Sequence, residues 1–326
     1  MKIENSYPGI DGISLLTNGL SYLGNEFACV RGLSPNQLLR RSEQIGTVAT
    51  STTPSRRTNS PGRVICYDSP KFMRKPWVIA HRGASGHTPE NTLVAFERAV
   101  QLGAGFIETD LHLTRDARFV AIHDATLERT TNGRGEVRDF TLAELRRLDA
   151  GMWYDREHMG QRIPTLEEIL DFARKHDVIF YLEVKYDASW GMHHSLIAAL
   201  QAADYAGRTI VISFDQATLA ALRRVDPAAM MGFLVDEAGT DSVKEAIELG
   251  ARQLCPKAHL VTRELVDQAH GADLQVATWT VDDPEEMRRV IGAGVDGVMT
   301  NFPDRLRAVI EDLQEAENTK LGKARE

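Results

Sequence analysis

Three carboxylates, two histidines and two long cations fall where they could act together. Glu108 and Asp110 lie two residues apart inside the apolar run Phe106–Leu113, and Glu183 and Lys185 two apart at the end of Ile179–Val184. In an extended strand, residues i and i+2 share a face, so each pair points one way. Ionised groups buried among apolar neighbours are costly without a partner. Three carboxylates brought together would also repel one another, and a hard divalent cation with oxygen ligands, Mg²⁺ or Ca²⁺, resolves both problems. His81 follows the short apolar run Trp77–Ala80, and His123 follows Phe119–Ile122. Two imidazoles beside such a cation suit an acid and a base at neutral pH. Arg82 can hold phosphate oxygens as a fork and Lys185 as a point charge.

Bland readings stand beside these. The carboxylates could be ion-paired instead, with Lys185 as one partner. Trp279 fits either the core or a substrate wall. Asp116 and Asp124 read as turn and cap residues. Glu90 and Asn91 most simply hold a loop and open a helix. His112, His158, His193 and His194 read as structural or surface groups.

The elements that must position these residues alternate. Strands are predicted at Trp77–Ala80, Phe106–Leu113, Ile179–Val184, Ile210–Phe214, Met231–Val235, Gln253–Cys255, Gln275–Thr280 and Gly297–Thr300. Between them lie runs of helical period, among them Asn91–Leu102, Thr165–Lys175, Asp241–Leu249 and Pro284–Ile291. Eight strands alternating with helices over residues 77–326 predict an α/β fold, a closed (β/α)8 TIM-type barrel. The stretch from about 115 to 164 is too long for an ordinary connection. With a strand at Phe119–Ile122 and a helix at Leu142–Leu148, it reads as a small insertion after strand two, over the barrel mouth.

Residues 1–72 are rich in Ser, Thr, Pro and Arg and offer little to pack, so they are expected to form a disordered or weakly structured leader. The barrel domain is then 73–326, and Met73 could itself open it. The 326-residue chain carries a net charge of −8. Ten of its 38 basic and five of its 46 acidic side chains lie before Trp77, so the body is strongly acidic. That excludes general binding of nucleic acid through its phosphates. No apolar run reaches the roughly 18–20 residues of a membrane helix, so no stable membrane insertion is expected. No secretory signal is seen between Met1 and Leu20. Cys29, Cys66 and Cys255 form no CxxC spacing, which favours a reducing, cytoplasmic setting. Nothing in the sequence speaks to the oligomeric state.

The segments His81-Arg82-Gly83, Pro89-Glu90-Asn91-Thr92, Glu108-Thr109-Asp110, Thr114-Arg115-Asp116, His123-Asp124, Leu127-Glu128-Arg129-Thr130-Thr131, Asp149-Ala150-Gly151, Ile163-Pro164-Thr165-Leu166 and Glu183-Val184-Lys185, taken in order, resemble the glycerophosphodiester phosphodiesterase family. The resemblance runs from about Trp77 to about Asp304. It implies a TIM barrel with an insertion after strand two. It also implies hydrolysis of a small-molecule glycerophosphodiester to an alcohol and glycerol 3-phosphate with one divalent cation. By resemblance, Glu108, Asp110 and Glu183 are metal ligands and His81 and His123 the acid–base pair. Arg82 and Lys185 are phosphate contacts, and Trp279 is a mouth-lining aromatic. Two rival functions remain open: a lysophospholipase D, and an inactive barrel that only binds.

Overall fold

The computed structural model describes residues 75–185, 192–205, 208–237 and 241–323. The leader expected over residues 1–72 lies outside the described residues. Nine strands form one sheet: β1 (Trp77–Ala80), β2 (Phe106–Leu113), β3 (Phe119–Ala121), β4 (Ile179–Val184), β5 (Thr209–Ser213), β6 (Met231–Val235), β7 (Gln253–Pro256), β8 (Gln275–Thr278) and β9 (Gly297–Thr300). All but β3 run parallel, and β1 pairs with both β2 and β9, which closes an eight-stranded barrel. β3 is the ninth strand, antiparallel on β2 with Leu111 opposite Ala121.

The helices are α1 (Leu93–Gln101), α2 (Leu142–Leu145), α3 (Leu166–His176), α4 (Met192–Ala202), α5 (Gln216–Val225), α6 (Ser242–Leu249), α7 (Arg263–Gly271), α8 (Pro284–Ala293) and α9 (Pro303–Lys323). Local chemistry marks their ends. Thr92 caps α1 by accepting from the Ala95 N–H, and Thr165 and Glu168 form a reciprocal capping box on α3. Asp283 caps α8 ahead of Pro284, a residue that suits the first turn because no N–H is needed there. Side chains such as Thr165 satisfy backbone donors that a helix start leaves open. Several ends are shorter than the periodicity predicts, two of them for visible reasons. The expected helix to Leu148 stops at Leu145, after which Arg146 turns to Glu168 and the Ile163 carbonyl. The expected strand to Thr280 stops at Thr278, leaving Trp279 on a single bridge to Lys257.

Three apolar clusters hold this together. The largest lies between barrel and helices and includes Phe96, Phe180, Leu182, Leu219 and Leu254. A second fills the barrel interior with Ile79, Tyr181, Ile212, Cys255, Ala277 and Met299. Burial of one such Leu or Ile side chain is worth about 1.5–3 kcal/mol. The third belongs to the insertion, where Val120, Ile122, Leu127, Val137, Leu145 and Ile163 pack on one another.

Candidate active site

The site grows out of the barrel's interior rows. Ile79, Tyr181, Ala277 and Met299 face the axis, with Phe106 packed against them. Two residues further along each strand, on the same face, come His81, Glu108, Glu183, Trp279 and Asn301. One more step on β2 and β4 gives Asp110 and Lys185. All eight strands are parallel, so their C-terminal ends share one rim, the end where barrel sites form. The pairing puts Asp110 beside Glu183 and Glu108 beside Tyr181. An apolar plug therefore lies beneath a charged layer.

Glu108, Asp110 and Glu183 are 1%, 0% and 8% exposed. Each offers one carboxylate oxygen within 4.8 Å of the others. Lys185 Nζ lies 2.7 Å from Asp110 Oδ1 and 2.5 Å from Glu183 Oε1. Arg82 Nε is 3.3 Å from Asp110 Oδ2, and the Arg82 N–H donates to Glu108 Oε2 at 2.9 Å. These two cations leave the trio one charge short of balance. The deficit shows in the acidities. Burial and the charges of Asp110 and Glu183 push Glu108 well above the usual carboxylate range. Burial and Asp110 push Glu183 up to about 7. Burial acts the same way on Asp110, but Lys185 and Arg82 outweigh it and hold that carboxyl low. Glu108 Oε1 is buried with no hydrogen-bond partner among the described residues. An unsatisfied buried oxygen next to two other carboxylates fits a hard, oxygen-seeking divalent cation.

The turn after β1 aims Arg82. Its backbone is left-handed, with φ of 55°, a conformation costing a non-glycine residue about 1–2 kcal/mol. Gly83 follows at φ 78°. A Cβ there would stand 2.7 Å from Ala95 Cβ and 2.6 Å from its carbonyl carbon, so glycine lets the turn lie directly on α1. Asn91, also left-handed at φ 55°, braces the same corner. Its Nδ2 donates to Asp110 Oδ2 at 2.8 Å, while its Oδ1 accepts from Thr109 Oγ1 at 2.6 Å.

Both histidines are oriented through Nδ1. His81 Nδ1 is 2.8 Å from Asn301 Oδ1. Asn301 is itself fixed, because its Nδ2 and backbone N–H both donate to Asp282. An amide oxygen only accepts, so His81 Nδ1 carries the hydrogen and Nε2 presents its lone pair, 3.9 Å from Glu108 Oε2. Burial and the Arg82 charge push His81 down to about 4, so it is neutral near pH 7. His123 Nδ1 is 2.6 Å from Asp124 Oδ1, and its Nε2 makes no hydrogen bond among the described residues. His112 Nε2 lies 3.0 Å from the His123 carbonyl, a structural contact as read from the sequence.

All eight residues singled out from sequence lie on this rim or beside it. Trp279 stands on the far side from β2. Its Nε1 donates to the Cys255 carbonyl at 2.8 Å, and its ring meets Phe214 edge-on at 5.3 Å. Asn301, Asp282 and Arg129 were not foreseen, since their partners are distant in sequence or sit on the insertion. Asp124 lies in a bend, and beyond the turn role read from the sequence it binds His123 and Arg129. The pairing of a histidine with an adjacent aspartate was the one available signal.

A buried carboxylate trio of a kind that fits a divalent cation, two long cations beside it and two oriented imidazoles gather at the mouth of a closed parallel (β/α)8 barrel, an arrangement compatible with a phosphoric diester hydrolase. The family model for the glycerophosphoryl diester phosphodiesterase family matches residues 81–305. A glycerophosphodiester phosphodiesterase of Caldanaerobacter subterraneus subsp. tengcongensis is 39% identical over 71% of this chain and 96% of that protein. One from Bacillus subtilis is 35% identical over 71% of this chain and 85% of its own length. A solved Oleispira antarctica phosphodiesterase, in complex with the product sn-glycerol-3-phosphate, superposes with a TM-score of 0.67 at 29% identity, covering 72% of this chain and 97% of that one. The chain belongs to the glycerophosphoryl diester phosphodiesterase family. No helix among the described residues is long and apolar enough to cross a membrane.

Proposed function

We propose that this protein hydrolyses glycerophosphodiesters to an alcohol and glycerol 3-phosphate, with one Mg²⁺ or Ca²⁺ held by Glu108, Asp110 and Glu183. The observation that carries this is the buried trio itself, whose Glu108 Oε1 lacks a partner at the mouth of a barrel with this family membership. The bound ion supplies charge neutralisation at the phosphoryl oxygens. Arg82 and Lys185 orient the diester. His81, neutral and with its Nε2 lone pair open, removes the proton from the attacking hydroxyl. His123, oriented by Asp124, gives a proton from Nε2 to the departing alcohol. Where the attacking hydroxyl is the substrate's own, the product is a cyclic glycerol phosphate, which water then opens to glycerol 3-phosphate with the two histidines exchanging roles. Trp279 and Phe214 wall the side of the mouth away from β2 and meet the substrate there. The same reading sets the protein in the cytoplasm, with a small-molecule substrate and no nucleic-acid partner.

A product assay tests it. Glycerophosphocholine, glycerophosphoethanolamine, glycerophosphoglycerol and a lysophospholipid are supplied with Mg²⁺, with Ca²⁺ or with excess chelator. Release of glycerol 3-phosphate that stops on chelation is the expected result. Full turnover in chelator would remove the ion from the mechanism. Preference for the lysophospholipid would favour the second reading, which rests on Phe214, 40% exposed beside Trp279.

A further inference from the structure

One line of alternating charge runs from the carboxylate cluster to the insertion. Asp110 faces Arg82, and Arg82 Nη1 donates to Glu90 Oε1 at 2.9 Å. Glu90 accepts from Arg129 at both oxygens, each at 2.8 Å. Arg129 then grips Asp124 as well, through Nε at 2.7 Å and Nη2 at 3.0 Å. Asp124 ends the line on His123 Nδ1 at 2.6 Å. Glu90 stands on the loop after β1, whereas Asp124 and Arg129 stand on the insertion.

We infer that Arg129 is a positioning residue for hydrolysis: its guanidinium clamps Asp124 to Glu90 so that His123 is held in register with Arg82 and the carboxylate cluster. Three features separate it from a surface ion pair such as Arg118–Glu167. It makes four hydrogen bonds to two carboxylates, using all three of its nitrogens. Each carboxylate's next contact is a residue of the site. And among the described residues, this is the ionic tie between the histidine-bearing insertion and the turn that carries Arg82. The planar fork is essential, because an ammonium cannot span two carboxylates in this bidentate way. The side chain is 42% exposed, so its value lies in direction more than in stability. The inference rests on the assignment of His123 as a proton carrier.

The test uses the full chain with Mg²⁺ and glycerophosphocholine. Arg129→Ala, Arg129→Lys, His123→Ala and the control Arg118→Ala are compared. In parallel, ¹⁵N-histidine NMR reads the hydrogen bond between His123 Nδ1–H and Asp124, a measurement independent of turnover. Arg129→Ala is expected to lower kcat by roughly 10–100-fold, the scale for partners that orient a reacting group, with KM little changed. Its His123 Nδ1 resonance should change from that of a single N–H bonded to Asp124 to an exchange-averaged one. Arg129→Lys should fail to restore either property, added guanidinium should partly restore Arg129→Ala, and Arg118→Ala should match the parent. Parental kcat in Arg129→Ala, or an unmoved His123 spectrum, overturns the inference. If Arg129→Ala does not fold, a folded Arg129→Lys with parental kcat and spectrum overturns it equally. An active His123→Ala sinks the underlying functional reading instead, and the spectrum still decides whether Arg129 orients that ring.

Discussion

Glu108 carries a sharp local conflict: a carboxylate at 1% exposure with like charges two residues along its own strand at Asp110 and on the neighbouring strand at Glu183. Without a cation, part of that charge is relieved by protons, since Glu108 is pushed well up and Glu183 to about 7. A divalent ion must displace those protons. Its affinity is therefore expected to rise as pH climbs through about 7, and titration calorimetry in two buffers of different ionisation enthalpy should count protons released. Glu108→Gln, Asp110→Asn and Glu183→Gln should each weaken metal binding. His81→Ala and His123→Ala should each lower kcat by roughly 10²-fold or more with melting near the parent, and an unfolded mutant would make that residue structural. The nucleophile can be tested as well. A hydroxyl next to the phosphorylated oxygen is tethered and so enjoys a high effective concentration. A substrate with hydrogen in its place should bind but not turn over, and comparable hydrolysis would identify water as the nucleophile. The acidic pairs were legible because a two-residue spacing in a strand fixes a common face. The hydrogen bond of His81 to Asn301 was not, because its partners are 220 residues apart.

At the scale of elements, the insertion behaves as a small body with its own core. Leu127 is fully buried there, and the Leu127 carbonyl accepts from Thr131 Oγ1. Leu127→Ala should cost about 2–5 kcal/mol. The loss should fall on the insertion first. Amide exchange across residues 119–163 should quicken while β6 and β7 keep their protection, and turnover should drop because His123 and Asp124 ride on this body. Uniform acceleration across the barrel would instead mean that insertion and barrel open as one unit. Strand and helix identities followed from period, while the groups that fix the helix ends, such as the Thr92 cap and the left-handed Gly250 and Gly294, emerge from the structure. Ends were less legible. Where Arg146 leaves its helix for Glu168, a tertiary contact overrides a local pattern that would have continued to Leu148.

For the whole molecule, the closed barrel and the family relation agree with the reading from sequence, and residues 1–72 are the part left to experiment. Deleting them should leave kcat and melting temperature nearly unchanged, and a large fall in either would show that they pack on the barrel. Closure has a further consequence. β1 pairs with β9 along its whole length, from Trp77 opposite Gly297 to Ala80 opposite Thr300, and the partner that orients His81 follows one residue later. At roughly 5–20 residues per second of synthesis, His81 emerges at least ten seconds or so before Asn301 exists. The carboxylates of β2 and β4 are made in that interval, but the first histidine still lacks the amide that sets its ring. A growing chain therefore contains the three carboxylates well before it contains the partner of His81, and that ring can be set only once the residue after the last strand has been made.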